Sequence, residues 1–180
     1  GWPLPAPVHT IYQSPVVGGG FTAHGMALRS WAPFHTQFDP VFSSYTVNFA
    51  GMVQTAAVVP AVPTGTFQQA YPNSTSRVAV VSTPYTVNLP LGAWPPWQVA
   101  RSWNEWTIPI PFKTPFTYIP THADGPNLAV WIDVVSANPN TQVRVDSIFD
   151  GPNSPVATSW LTTTEVGRAP MLGLALAGNT

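Results

Sequence analysis

The sequence predicts an all-β fold: a single-domain antiparallel β-sandwich, jelly-roll-like, with about ten short strands and Pro-rich loops. Three observations carry that expectation. Proline-free windows with an i, i+3, i+4, i+7 apolar stripe are almost lacking, whereas period-2 alternation rich in Val, Thr, Tyr, Phe and Trp recurs along the chain. The 22 prolines and 13 glycines break it into short runs, the turn-punctuated pattern of sandwiches and jelly rolls. Its 180 residues suffice for one core that removes roughly two-thirds of the unfolded surface from water.

Taken in order, the expected strands are Val8–Gln13, Phe21–Trp31, Ser44–Gly51, Arg77–Val81, Tyr85–Leu89, Trp103–Ile110, Asn127–Val135, Gln142–Phe149, Val156–Leu161 and Met171–Ala177. Residues 1–7 form a Pro-rich arm, stiff and extended, ahead of a sandwich spanning 8–180 whose last strand is 171–177. Tyr45, Val47 and Phe49 share one side of their strand, as do Leu128, Val130, Ile132 and Val134. Those sides face the core. Trp131 and Asp133 lie opposite and face either solvent or a second interface. Pro109, Pro111, Pro115 and Pro120 cannot donate ladder hydrogen bonds, so Trp103–Pro120 belongs at a sheet edge or passes between sheets. Tyr-Thr-Val-Asn occurs at Tyr45–Asn48 and Tyr85–Asn88, and Asp-Gly-Pro-Asn at Asp124–Asn127 and Asp150–Asn153. Their unequal spacings indicate reuse of good strand and turn chemistry rather than an internal repeat. Thr162–Pro170 reads as a linker.

Charged residues are only 7% of the chain and the net charge is −1. A neutral skin of Ser, Thr, Asn and Gln must solvate the surface, and copies of the chain repel each other weakly. Without a basic run, the electrostatic attraction that nucleic acids and anionic membranes need is missing. No apolar stretch approaches a membrane span, the best, Met171–Ala177, being far too short. The chain opens on Gly1 rather than Met, which points to a processed N-terminus and a secreted or cell-surface protein. The absence of cysteine neither supports nor opposes that compartment.

The order of several segments resembles a group of bacterial exported proteins of unknown function that often carry a C-terminal sorting tail. The matching segments are His9-Thr10-Ile11-Tyr12-Gln13, Gly25-Met26-Ala27-Leu28-Arg29, Tyr45-Thr46-Val47-Asn48-Phe49, Pro115-Phe116-Thr117-Tyr118 with Pro120, and Asn127 to Val134. The resemblance spans most of Val8 to Leu174 and implies a β-sandwich, with no catalytic residues to carry over. This sequence departs from it by ending at Thr180 without a sorting helix.

Trp94, Trp97, Trp103 and Trp106 place half of the eight tryptophans close together beside Pro95 and Pro96. Flat aromatic faces on a stiff platform can fill the core, stack on sugar rings or meet another subunit. Asp124, Asp150 and Asp146 supply turn oxygens of the kind calcium takes, yet calcium wants six to eight oxygens and several carboxylates. Plain turns explain them better, and no metal or other cofactor is expected. Glycoside hydrolysis needs two carboxylates about 5 to 10 Å apart, and the chain offers only Glu105, Glu165 and scattered aspartates, with Asp133 and Asp146 as a cross-strand pair. His9, His24, His35 and His122 have no short metal-ligand spacing, although His9 and His24 could meet across paired strands. Gly18-Gly19-Gly20 precedes a strand and reads as a turn or hinge rather than a phosphate loop. Asn73-Ser74-Thr75 is an N-glycosylation triplet at Asn73.

The two ends suggest assembly. Met171, Leu172, Leu174 and Leu176 are apolar on a segment that either completes its own sandwich, the favoured reading, or adds to a neighbour by β-augmentation. The arm with Trp2 is the better candidate for exchange. The expectation is a non-enzymatic extracellular structural protein that forms homo-oligomers or polymers in a filament or layer. The alternative is a carbohydrate-binding module using surface Trp, and an unrecognised glycosidase stands third.

Overall fold

β-branched and aromatic residues at every second position form strands because their side chains fit a pleated, half-buried surface. The computed structural model describes residues 2–3, 7–28, 44–57, 67–82, 84–88, 108–138, 144–145, 147–149, 155–160, 163–166, 168–170 and 172–176. Its strands are β1 (Trp2–Pro3), β2 (Val8–Tyr12), β3 (Phe21–Leu28), β4 (Ser44–Ala56), β5 (Val78–Ala79), β6 (Tyr85–Asn88) and β7 (Ile108–Tyr118). They continue as β8 (Asn127–Asn138), β9 (Arg144–Val145), β10 (Ser147–Phe149), β11 (Val156–Trp160), β12 (Thr163–Val166), β13 (Arg168–Pro170) and β14 (Leu172–Leu176). Two single helical turns, α1 (Ser14–Val17) and α2 (Phe67–Ala70), complete the elements. None is long and apolar enough to cross a membrane as a helix.

Two sheets hold ten of these strands. One runs β12-β11-β2-β8-β4-β5, with β6 also paired to β4; the other runs β14-β3-β7. The pairings are antiparallel. Successive long strands β2, β3, β4, β7 and β8 alternate between the two sheets, as in a jelly roll. The fold class expected from the alternation is the one observed.

The core lies between the sheets. Val8 and Tyr12 of β2, Val47, Phe49 and Val53 of β4, and Leu128, Val130 and Ile132 of β8 meet Met26 and Leu28 of β3 and Ile108, Ile110, Phe116 and Tyr118 of β7. Each such large side chain contributes roughly 1.5–3 kcal/mol on burial. Tyr12 is buried whole because its hydroxyl donates to the Pro170 carbonyl at 2.6 Å. That bond ties β2 to β13.

Several elements differ from expectation for identifiable reasons. β4 and β8 run on past Gly51 and Val135, because each is the other's partner over eleven rungs from Thr46↔Asn138 to Ala56↔Asn127. A register shift at Asn48/Phe49 leaves Val135 opposite no residue of β4, an outward bulge. Thr162–Pro170 is no linker: β12 pairs with β11 and β13 with β10. The Pro-rich strand is β7, later in the chain than Trp103–Ile110. It edges the three-stranded sheet and leans to β5 through the Val80↔Phe112 bridge and the Val81 N–H bonded to the Pro111 carbonyl at 2.7 Å. For the described part of that stretch, residues 108–120, both halves of the edge-or-between expectation hold.

The two Tyr-Thr-Val-Asn copies pair with one another, Tyr45↔Val87, Thr46↔Thr86 and Val47↔Tyr85, with the two Thr hydroxyls 3.4 Å apart. α1 begins with Pro15 in its first turn, where the missing N–H costs nothing, and ends at Gly18, whose φ of 82° suits glycine. The triple glycine is thus the turn it was expected to be.

Candidate functional site

β2 and β8 are apolar on both faces, and the outward face needs its own cover. Ile11, Ala56 and Ala129 form a second cluster there with Phe67, flanked by Met52, Tyr71 and Trp131. The segment 67–77 lies across this face. Phe67 and Tyr71, four residues apart and so on one side of the α2 turn, point down onto it. Trp131, read as facing solvent or a second interface, lines this second layer.

His9 sits at the centre and is only 7% exposed. Its ring meets Phe67 and Tyr71 edge-on, with centroids 5.0 and 5.2 Å away. Its Nε2 is 2.9 Å from the Tyr71 hydroxyl. Burial disfavours the imidazolium and lowers the His9 pKa from 6.5 to about 4. The same burial raises the Tyr71 phenol well above its ordinary value. Neither group is charged at neutral pH.

Arg77 closes the segment. Its guanidinium lies 5.6 Å over the Phe67 ring, its Nε donates to Gln54 Oε1 at 2.9 Å, and it also donates to the Tyr71 carbonyl. Between these points Asp124 gathers the turn 74–76. Its Oδ2 accepts from the Ser74 hydroxyl (3.2 Å), the Thr75 N–H (3.0 Å), and the Ser76 N–H (2.9 Å) and hydroxyl (2.6 Å), and its Oδ1 from the Thr75 hydroxyl (3.2 Å). Burial pulls the Asp124 pKa upward, but the donors from Ser76, Thr75 and Ser74 outweigh it and bring the group to about 2. With five donors aimed at it, this carboxylate is a structural anchor, in agreement with the plain-turn reading.

The other sequence-selected residues fall as follows. Trp94, Trp97, Trp103, Trp106, Met171, Asp146 and Asp150 lie outside the described residues, as do Glu105 and His35. Trp2 is placed by its backbone, paired with Val145; the arm, named as the better candidate for exchange, has this part strand-bonded to its own chain. Leu172, Leu174 and Leu176 are partly buried and pack on the main core, their strand paired with β3. The C-terminal strand thus completes its own sheet. Asn73 is exposed in the turn before the Asp124 anchor.

His9 and His24 do not meet: β2 and β3 belong to different sheets, and His24 is exposed. Asp133 is in register with Ala50 of β4, and Asp146, its expected cross-strand partner, lies outside the described residues. Among the described residues no group of three or more His, Asp or Glu can hold a metal ion. The cluster of His9, Tyr71, Arg77 and Gln54 was not singled out from sequence. The available signals were the Phe67/Tyr71 spacing and the two-sided apolar character of β2 and β8. No family model, no curated protein and no solved structure matches this chain.

Proposed function

We propose that this protein is a non-enzymatic extracellular structural subunit that self-assembles into a filament or layer through aromatic contacts. The register of the two sheets carries the reading. Leu28 pairs with Ile108 in one sheet, and Ser44 pairs with Asn88 in the other. Segments 29–43 and 89–107 therefore both connect the Leu28–Ile108 rung of one sheet with the Ser44–Asn88 rung of the other, the first running from Leu28 to Ser44 and the second from Asn88 to Ile108. Between them their sequences hold Trp31, Trp94, Trp97, Trp103 and Trp106.

The described surface supports the same reading. Tyr85 on β6 and the bulged Val135 on β8 are 42% and 55% exposed, Tyr85 three rungs from Ser44↔Asn88 and Val135 between the Asn48 and Phe49 rungs of β4. Apolar area of this kind suits a contact with another protein, and a skin with 7% charged residues opposes self-association only weakly. The polar side chains of the outer cluster hold chain segments to one another, which fits a structural role. Since Trp2–Pro3 and β14 are paired within their own chain, aromatic contact rather than exchange of the ends is the favoured mode.

Sedimentation velocity and native mass spectrometry over a hundred-fold concentration range test this. The expected result is concentration-dependent oligomers that Trp94→Ser and Trp97→Ser together dissolve without altering the far-ultraviolet circular dichroism. A chain that stays monomeric at the highest concentration ends the proposal. Tryptophan quenching by a polysaccharide panel in those monomers would move the reading to carbohydrate binding.

A further inference from the structure

The outer cluster sits on the far side of the seven-stranded sheet from the main core, because β2 sends Val8 and Tyr12 inward and His9 and Ile11 outward. Removing the cover of the outer face leaves the inward packing in place. The cover itself is short. α2 is a single turn, far below the length at which a helix is stable alone, so it depends on the face beneath it and on polar ties.

Those ties are of two kinds. Residues 74–76 hang on Asp124 and, through the Ser76 hydroxyl, on Thr55 Oγ1 at 2.9 Å and the Thr55 N–H at 3.0 Å. The leading turn, Phe67 to Tyr71, instead closes around the imidazole of His9. We propose that this leading turn is an acid-released strap: a proton on His9 lifts Phe67–Tyr71 off the outer face while residues 74–76 stay anchored and the two-sheet sandwich stays assembled.

The surroundings of His9 favour that outcome. From the strap it meets the Tyr71 phenol, and the Arg77 guanidinium stands over the same Phe67 ring that touches it. A second positive charge there is opposed by the first. From β8 its cross-strand neighbour is Trp131, with Asp133 two residues along the same face. From β11 it is in register with Ser159. Glu165 of β12 is in register with Thr158, one residue away from the Ser159 rung. Lifting the turn gives the imidazolium water instead of two aromatic rings, and the alternative, a buried cation, is costly. Burial sets the proton affinity that must be overcome, with His9 held at about 4 in the closed state against 6.5 in water. Asp124 keeps its charge down to about 2, so the anchor outlasts the strap.

Residue-resolved amide exchange on the full chain from pH 7 to pH 3.5, corrected for intrinsic rates, tests the proposal. The Tyr71 N–H, which donates to the Phe67 carbonyl at 3.1 Å, reports the strap. The Ser76 N–H reports the anchor, and the amides of Val130 and Ile132 report the sheet. With the His9 pKa at 6.5 in the opened state and about 4 in the closed one, Tyr71 protection should fall by about 80-fold between pH 6.5 and 4, while Ser76, Val130 and Ile132 stay far better protected than Tyr71 throughout. His9→Gln should make the Tyr71 profile flat. Should that variant not fold, Tyr71→Phe keeps His9 and should show the same acid step from a lower starting protection. A flat Tyr71 profile in the unaltered chain, an acid step that persists in His9→Gln or is missing from Tyr71→Phe, or protection at Val130 that drops to the level of Tyr71 would each overturn it.

Discussion

Asp124 shows how much one side chain can hold. Its five donors come from three consecutive residues, Ser74, Thr75 and Ser76, and its neighbour Gly125 has a φ of 127°, where a side chain would overlap the backbone of Ala57. The Asp-Gly pair is therefore a matched part: the aspartate binds one segment while the glycine lets the turn lie flat on another. Hydrogen bonds to a charged group contribute about 1.5–3 kcal/mol, more than neutral ones. Asp124→Asn removes the charge and turns one acceptor into a donor facing donors. Urea unfolding should show a loss of about 2 kcal/mol with an unchanged m-value.

At the scale of elements, the β4–β8 pair is the spine of the sandwich, and it is close-set. At Gly51 an added Cβ would overlap the Trp131 carbonyl oxygen of β8, so backbone rather than a movable side chain stands in the way. Gly51→Ala must push the two strands apart or twist them locally. A destabilisation of about 2 kcal/mol is expected, in the range of overpacked cores. Thermal unfolding followed by circular dichroism would measure it, and a stability gain there would mean the strands are more loosely paired than the register implies. β14 shows the converse: Leu172, Leu174 and Leu176 stay partly exposed, as suits the outer strand of the three-stranded sheet.

For the whole molecule, acid stability follows from two groups whose native pKa values lie below their ordinary ones. His9 titrates at about 4 in the fold against 6.5 outside it, so below pH 6.5 an unfolded or opened chain takes up a proton that the closed chain refuses. Its contribution is complete above pH 6.5 and is lost as pH falls to about 4, amounting to about 3 kcal/mol. Asp124 moves from 3.8 to about 2; its contribution is present above pH 3.8 and lost below it. Stability measured by denaturant between pH 8 and 2 should therefore decline in two steps. His9→Gln should remove the upper step alone, and a single step centred below pH 4 in the unaltered chain would contradict this assignment.

The sequence by itself determined the strand character, the faces and the edge. Alternation put Val47 and Phe49, and Leu128, Val130 and Ile132, toward the core because a strand's side chains alternate by geometry alone. Prolines without N–H groups marked Trp103–Pro120 as a stretch at a sheet edge or between sheets, within which the structure sets the strand at Ile108–Tyr118. Partnership was not legible. That Tyr45–Asn48 and Tyr85–Asn88 pair with each other, that 163–170 is strand rather than linker, and that His9 meets Tyr71 all depend on residues distant in sequence. Hydrogen bonding between such segments is decided by which faces the folded sheets bring together, and a local pattern carries no address for its partner. The outer cluster illustrates the limit: the sequence left the Trp131 face open between solvent and a second interface, and only the tertiary structure decided that residues 67–77 cover it.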